Sequence, residues 1–529
     1  MKKIFNLFDL SQKVNYKTEI LSGLTVALAL VPEAIAFALI PGFSPLTGLY
    51  AAFILALITS IFGGRPGMIS GATGAVAVIF VGLILELKTA FPGIEPETIL
   101  HYVFATVIIA GLMQIGAGLL RLGKFIRLVP HPVMFGFVNG LAIIIFMAQF
   151  PNFYQKGTSL LLEGSPLYIM LGLTGLTMLI IWGLPKLTKA VPSSLVAIIV
   201  VSAIVIGFDI GTLKVADTMG IGETIKGGFP PLSIPNIPFT WQTLTLILPY
   251  AAIVAGVGLI ESLLTLNIID EITGTRGRGN KECVAQGTAN ILSGFLSGMG
   301  GCAMIGQSLI NTSSGARARL SGITAAVMLL VFIMFGSSLI EQLPMAALVG
   351  LMFMVAIGTF EWASFRTFKK MPTSDVIVMI IVTLITAITH NLAIAVLFGV
   401  VLSALSYSWE NAKRIRARKY IDDDGVKHYE IYGPLFFGAV SAFNEKFDIT
   451  GDPDEVIIDF AESRVVDMSA IEALNKLTER YLQQGKKIHL KHLSPDCQLL
   501  LKNAEEIIDV NVLEDPTYHL VVDKLKKKK

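Results

Sequence analysis

Two carboxylates lie inside apolar stretches of this sequence, where a charged side chain is costly. Glu33 lies in LALVPEAIAFALI and Glu261 lies in AGVGLIESLLTLNII. A charge at the centre of a bilayer costs about 2.5 to 3.5 kcal/mol even on the lenient insertion scale, so an intramembrane acid usually faces a pathway, a partner or a cavity. The alternative for either residue is a protonated acid that ties two helices together.

The surroundings of Glu261 indicate what such an acid can bind. Thr265 follows Glu261 by one helical turn, which places a hydroxyl on the same helical face. A carboxylate beside a hydroxyl suits a sodium ion, whereas a desolvated glutamate suits a proton. The residues leave the choice between these two cations open.

Two glycine-rich breaks form the second pattern with chemical meaning. They are GGRPGMISGATGAVAVIF at residues 63–80 and GMGGCAMIGQSLINTSSG at residues 298–315, in corresponding halves of the chain. Interrupted spans at matching places indicate two half-helices whose N-termini face each other near the middle of the membrane. Each N-terminus presents unpaired N–H groups and about half a positive charge, which can hold an anion without arginine or lysine. The alternative is that the glycines only permit close helix packing.

Other chemistry has no strong signature in the sequence. It contains no GxxxxGK[ST], HExxH or GxSxG motif, so we expect neither an enzyme nor an ATP-driven pump. Cys283, Cys302 and Cys497 have neither metal-ligand nor redox-pair spacing, and we predict inert thiols, no structural metal and no cofactor. The net charge of +2 gives no indication of a nucleic-acid partner.

Membrane-spanning helices must position these groups. Of the 529 residues, 53% are hydrophobic and 15% are charged, which is typical of a membrane protein. Because about 20 helical residues cross the hydrocarbon, residues 20–410 predict a transport domain of about fourteen spans. These spans start near residues 20, 46, 73, 100, 131, 167, 190, 242, 282, 303, 320, 345, 374 and 391. The ninth is weakly apolar, and the third and tenth look short.

Lysine and arginine predict the orientation of the spans, because cytoplasmic loops carry an excess of both. With residues 1–19 in the cytoplasm, eighteen of these side chains fall in cytoplasmic segments and four in outer loops. Residues 1–19 lack a signal-peptide core followed by a cleavage site, so the first apolar run is expected to be retained. We expect a multi-pass protein of the bacterial inner membrane with both ends in the cytoplasm.

A soluble domain is predicted after the last span. Residues 411–424 form a basic linker, and residues 425–524 have the composition of an α/β domain. In it, EVIIDF and KIHLKH predict strands, and SAIEALNKLTERYLQQG predicts a helix between them. The basic tail at residues 525–529 is most simply solvated, and contact with anionic membrane lipid is the alternative.

Several segments together resemble the sulfate permease (SulP) family. They lie at residues 31–53, 70–78, 258–295 and 302–322, and the resemblance covers nearly the whole chain. The Asp467-Met468-Ser469 turn is similar to the DxS mark of a STAS domain. The resemblance implies a polytopic α-helical fold of seven plus seven spans in inverted repeat, divided into core and gate domains. It also implies a homodimer, an elevator movement of the core, and an anion between the third and tenth helices.

The resemblance also implies roles for single residues. Phe37 matches a residue that packs against the anion, and Glu33 holds a position that carries a carboxylate in some bacterial members. Glu261 and Thr265 match an acid and a hydroxyl implicated in sodium coupling in bicarbonate transporters of the family. The other implied anion-binding positions are the ends of the third and tenth helices, namely Ala72, Thr73, Gly74, Ala75, Ala303, Met304 and Ile305.

The sequence departs from the family pattern at two places. Gln307, at the anion site, stands where animal members often have an arginine, so a co-transported cation must help balance the anion, which favours symport over exchange. SGATGA lacks the proline of many members, which leaves the start of the third helix open.

Ser469 matches a serine that is phosphorylated in soluble anti-sigma-factor antagonists, which indicates regulation. Alternatively, Ser469 and Glu472 form a capping box.

We therefore expect a secondary transporter of a small anion, namely sulfate, bicarbonate or a dicarboxylate, driven by a co-transported proton or sodium ion. One alternative is an anion exchanger or a channel-like anion pathway. The other is a membrane-anchored signalling scaffold in which the STAS-like domain binds a cytoplasmic protein.

Overall fold

The chain forms two compact units, residues 1–400 and residues 401–529. The computed structural model describes residues 15–123, 130–155, 161–188, 192–218, 227–238, 240–368, 370–389, 392–493 and 511–513. Basic tail residues 525–529 lie outside this described part of the chain, so the prediction for them has no structural counterpart.

A helix begins within four residues of each of the fourteen predicted starts. In chain order the helices are α1 (Tyr16–Leu39), α2 (Pro45–Phe62), α3 (Gly74–Ala90), α4 (Pro96–Leu119), α5 (His131–Met147), α6 (Ser165–Leu187), α7 (Ser193–Gly207), α8 (Trp241–Thr273), α9 (Gly279–Phe295), α10 (Ile305–Ser313), α11 (Leu320–Phe335), the short α12 (Ser337–Glu341), α13 (Met345–Thr359), the short α14 (Ala363–Thr367), α15 (Thr373–Thr389) and α16 (Leu392–Ala412). Two short strands, β1 (Ser70–Gly71) and β2 (Cys302–Ala303), precede α3 and α10.

Length and composition separate these helices into three groups. Within the described residues, α1, α2, α4, α6, α8 and α16 are long and apolar enough to cross a membrane, as are α5 when extended to Phe153 and α13 when extended to Arg366. Helices α7, α11 and α15 are shorter apolar helices. The remaining long helix α9 and the half-helices α3 and α10 are those whose sequence is short or weakly apolar. The weak apolarity of α9 is tolerated because it packs against α2, α4 and α8 instead of lipid.

The helices pack as two bundles. The core bundle contains α1–α4 and α8–α11, and the gate bundle contains α5–α7, α13 and α15. The packing pairs recur: α1 with α11 corresponds to α8 with α4, and α1 with α10 corresponds to α8 with α3. In the gate bundle, α5 with α15 corresponds to α13 with α6. This exchange of the two halves is the contact pattern expected of an inverted repeat.

The second unit contains a five-stranded sheet in the order β3–β4–β5–β6–β7. Its strands are β3 (Arg416–Ile421), β4 (Lys427–Leu435), β5 (Glu455–Val465), β6 (Lys487–Lys491) and β7 (Asn511–Leu513), with helices α17 (Val440–Asn444) and α18 (Met468–Gln483). Strand β3 is antiparallel to β4, and the other pairs are parallel. The predicted strands and helix correspond to β5, β6 and α18.

The position of β3 differs from the prediction of a basic linker at residues 411–424. Strand β3 is at the edge of the sheet, and nearly all of its side chains are exposed. An exposed edge strand with charged side chains does not show the apolar alternation of a half-buried strand. The sheet therefore begins inside the segment whose charge indicates a linker.

Candidate functional site

The two glycine-rich breaks interrupt helices at matching places. Strand β1 pairs antiparallel with β2, with Ser70 opposite Ala303 and Gly71 opposite Cys302. Helix α3 begins at Gly74, which fixes the start that the sequence leaves open, and α10 begins two residues after β2. The backbones approach closely at Gly301, where an added Cβ would overlap the carbonyl group of Gly71. Only glycine fits this approach, so the breaks do more than permit helix packing.

Buried amide side chains hold the strand pair in place. The Gly301 N–H donates to Asn290 Oδ1 at 3.0 Å, and the Gly301 carbonyl accepts from Asn290 Nδ2 at 3.1 Å and Gln286 Nε2 at 3.2 Å. Ser70 Oγ donates to Gln286 Oε1 at 3.2 Å. Both amides are fully buried on α9. No sequence motif marks Gln286 and Asn290, although the weak apolarity of the ninth span is the signal of their presence.

The N-termini of both half-helices are free of side-chain caps. Thr73 is the N-cap residue of α3 and Met304 is that of α10, and in this described region neither side chain accepts a hydrogen bond from its helix. The first-turn N–H groups of α3 and α10 and the positive ends of both helix dipoles are therefore available to an anion.

A cavity of about 1290 Å³ lies where the core bundle faces the gate bundle. It is lined from the core bundle by most of the predicted site residues, namely Glu33, Phe37, Thr73, Gly74, Ala75, Glu261, Ala303, Met304, Ile305 and Gln307. Ala72 and Thr265 are buried and are not part of the lining. The structure therefore brings the two half-helix ends and the two intramembrane acids to one cavity.

The Glu33 side of the cavity joins α1 to α10. Gln307 Nε2 donates a hydrogen bond to Glu33 Oε2. The ring of Phe37 lies against the start of α3, since a Cβ at Gly74 would lie 2.9 Å from Phe37 Cε1. The Gln307 amide thus contacts an acid, and it adds no positive charge to the cavity.

The Glu261 side of the cavity joins α8 to β2. Cys302 Sγ donates to Glu261 Oε2 at 2.6 Å and lies 3.2 Å from Thr73 Oγ1. The Thr265 hydroxyl donates to the backbone carbonyl of Glu261 at 2.8 Å. Thr265 is thus bonded to its own helix, and a thiol, which sequence spacing predicts to be inert, contacts the carboxylate.

Within the described part of the chain, the charged residues at one end of the cavity are mostly acidic. They are Asp270, Glu271 and Glu361, with Arg276 and a histidine as the described basic members. Asp270 is paired with Arg65 at 3.2 Å. This end of the cavity is where α5 begins and where α8 and α13 end.

A second cavity of about 330 Å³ lies at the opposite end of the same two bundles. It is lined by the end of α1, the start of α2, the end of α5 and the start of α13. The two cavities reach α1 at neighbouring residues, because Ala36 lines the second and Phe37 lines the first.

The candidate regulatory serine is in the second unit. Ser469 is exposed in the first turn of α18. The N-cap is Asp467, whose Oδ1 accepts from the Ala470 N–H at 2.9 Å, and Glu472 binds Lys476 at 2.6 Å. The capping-box interpretation of Ser469 is therefore wrong, because the residue before Met468 already caps the helix and Glu472 is bonded elsewhere.

Two family models match the chain. The model of the sulfate permease family matches residues 16–382, and the model of the STAS domain matches residues 419–508. YbaR of Bacillus subtilis is 42% identical over 499 residues, which are 94% of this chain and 99% of YbaR. Its name gives sulfate transport as a provisional assignment. The bicarbonate transporter BicA of Picosynechococcus is 30% identical over 509 residues, which are 90% of this chain and 88% of BicA.

Solved structures are similar over the same regions. The transmembrane domain of a cyanobacterial bicarbonate transporter BicA has a TM-score of 0.62 at 29% identity, over 74% of this chain and 98% of that domain. The murine anion transporter Slc26a9, in an inward-facing state, has a TM-score of 0.78 at 17% identity, over 95% of this chain and 89% of that chain. The second likeness concerns the fold alone.

Proposed function

Since the chain belongs to the sulfate permease family, we propose that it is a secondary transporter that moves a small anion together with a cation. The names of its relatives, which refer to sulfate and bicarbonate, support an anion as substrate. The candidates are sulfate, bicarbonate and a dicarboxylate. The transport that we propose uses no bound cofactor, and the cation is a second substrate.

One observation carries the proposal: two uncapped helix N-termini open into one cavity. The ends at Thr73 and Met304 are joined through the β1–β2 pair, so their positive dipole ends converge. Each contributes about half a positive charge, which together nearly match a monovalent anion. Because these groups are backbone N–H groups, they recognise the charge and size of the anion more than its detailed chemical structure.

The charges of the lining favour symport over exchange. Among the residues that the structure describes, five acids line the cavity against one arginine and one histidine, and these acids are Glu33, Glu261, Asp270, Glu271 and Glu361. An anion that enters such a cavity is repelled unless some carboxylates are protonated or hold a cation. Glu261 and Glu33 lie closest to the helix ends, so we assign cation coupling to them, with either a proton or sodium as the ion.

An elevator movement is the transport step that we propose. The half-helices belong to the core bundle, while α5 and α13 of the gate bundle form the facing wall. The presence of a cavity at each end of this interface supports alternating exposure of the site as the core moves past the gate. In the proposed bacterial inner-membrane topology, the larger cavity opens to the cytoplasm because α5 begins there.

The proposal also covers regulation by phosphorylation and assembly as a homodimer. The exposed hydroxyl of Ser469 supports a phosphorylation site, because a modifying enzyme can reach it without unfolding α18. We propose a homodimer in the lipid membrane, with a cytoplasmic protein partner for the STAS domain.

The experiment is uptake into proteoliposomes that contain the full chain. Labelled sulfate, bicarbonate and fumarate are supplied one at a time, with sodium and pH gradients imposed independently. Accumulation above the external concentration that requires one of the two gradients supports symport. Counterflow of an anion without any cation gradient, and no accumulation with one, would instead identify an exchanger.

A further inference from the structure

The thiol of Cys302 links the two halves of the candidate site. Its hydrogen is donated to Glu261 Oε2 at 2.6 Å, and its sulfur lies 3.2 Å from Thr73 Oγ1, where either atom can be the donor. Cys302 is fully buried, whereas Glu261 and Thr73 both line the cavity. The thiol therefore lies between the proposed cation position and the N-terminus of α3.

The hydrogen-bonding capacity of the three groups limits their arrangements. A thiol has one hydrogen and a weakly accepting sulfur, and a threonine hydroxyl has one hydrogen and two lone pairs. While Cys302 donates to an ionised Glu261, its sulfur can only accept from Thr73. Among the described residues, Cys302 Sγ is the one side-chain or backbone group within hydrogen-bond distance of Thr73 Oγ1, so the Thr73 hydrogen can make this bond.

We infer that Cys302 is a positioning residue that couples cation binding at Glu261 to anion binding at the start of α3. This inference rests on the proposed function. A sodium ion or a proton bound at Oε2 of Glu261 displaces the thiol hydrogen from that oxygen. The thiol hydrogen then turns to Thr73 Oγ1. The Thr73 hydrogen in turn points into the cavity and donates to the anion. Each hydrogen stays on its own heavy atom, and in the proton case the added proton comes from solution and remains on Glu261.

A separate hydrogen bond allows the thiol to turn without displacing the strand. The Ala303 N–H donates to Ser262 Oγ at 3.1 Å. Ala303 directly follows Cys302, and Ser262 directly follows Glu261. Ser262 is fully buried, so this bond is shielded from water. It keeps β2 against α8 in both arrangements of the thiol.

The test measures how the KM of anion uptake depends on the coupling cation, with the full chain in proteoliposomes. The probe is labelled sulfate, or labelled bicarbonate if sulfate is not transported. In the wild type, saturating cation lowers the KM by about fivefold or more, the usual range of coupling between two sites. In Cys302→Ala we expect the KM to change by less than about twofold, because no group passes the change to Thr73.

Two further variants separate coupling from simple packing. Cys302→Ser restores the cation dependence, because a hydroxyl also donates and accepts. Cys283→Ala is the matched control, since Cys283 is a buried free thiol on α9, and it keeps the wild-type dependence. If Cys302→Ala elutes as an aggregate, Thr73→Val tests the other end of the relay and is expected to give the same loss.

The outcomes distinguish the inference from the proposed function. A KM that still falls about fivefold in folded Cys302→Ala overturns the relay and leaves symport intact. A wild-type KM that is independent of both sodium and pH overturns the proposed coupling, and the relay with it.

Discussion

Replacement of Gly301 by alanine tests the observation on which the proposed function rests. A Cβ at this position would lie 2.8 Å from the carbonyl carbon of Gly71 and 2.9 Å from Leu55 Cδ1. Because non-bonded carbon atoms are best separated by about 3.5 to 4.0 Å, the β1–β2 pair must open by about 1 Å. Backbone atoms on one side of the contact cannot move as a flexible side chain would.

The magnitude follows from the hydrogen bonds that this displacement breaks. Gly301 makes three hydrogen bonds with the buried amides of Asn290 and Gln286. A buried polar group left without a partner costs about 1 to 3 kcal/mol, so Gly301→Ala is expected to destabilise the chain by several kcal/mol. A shift of about 1 Å at the half-helix ends is also expected to lower uptake by about 100-fold in the molecules that remain folded.

The assay combines thermal unfolding in detergent with gradient-driven uptake in proteoliposomes. Gly256→Ala is the matched control, because Gly256 is on α8 of the same bundle and a Cβ there meets nothing within 4 Å. We expect the control to unfold and transport like the wild type. Wild-type uptake and an unchanged unfolding temperature in Gly301→Ala would refute the idea that the strand pair holds the anion site together.

Three other predictions concern single groups. Glu261→Gln removes the charge but keeps an oxygen acceptor for Cys302, and is expected to abolish accumulation driven by the coupling gradient; accumulation equal to the wild type contradicts the coupling role. In the second unit, burial would raise the pKa of Asp452, but hydrogen bonds, chiefly from a lysine and two tyrosines, lower it below its ordinary value of 3.8. The depressed pKa of Asp452 stabilises the folded unit above about pH 4, and this stabilisation is lost as the pH falls through the folded pKa. Asp452→Asn should therefore remove this part of the acid dependence of the free energy of unfolding, measured from pH 6 downward. Asp467→Ala is expected to destabilise the second unit by about 1 kcal/mol through loss of the α18 cap, whereas Ser469→Ala changes it by less than about 0.5 kcal/mol; equal effects in denaturant unfolding would contradict the assignment of the cap.

The positions of the helices follow from the sequence because lipid imposes one simple requirement. Most of the spans are apolar runs of about 20 residues or somewhat fewer, and such runs are visible without any tertiary contact. The family and the STAS domain were likewise predicted from sequence segments and are confirmed by the matches to residues 16–382 and 419–508. Residues 416–421 are the contrasting case, since an exposed edge strand has no local hydrophobic pattern.

The sequence predicted which residues belong to the candidate site, but not which residues contact one another in it. Glu33 and Glu261 stand out because an acid in an apolar run is costly, and glycine clusters mark the helix breaks. The partner of each acid is 274 or 41 residues away in the chain, at Gln307 and Cys302. No local pattern relates residues at such separations.

The sequence by itself determined which segments span the membrane, which acids lie within them and where two helices break, because each of these depends on local apolarity or backbone freedom. Only the tertiary structure decided that both breaks meet at one strand pair, that Cys302 contacts Glu261, and that Thr265 bonds to its own helix. The physical reason is that hydrogen bonds between side chains depend on atomic positions within a few tenths of an ångström, and packing between distant helices sets those positions.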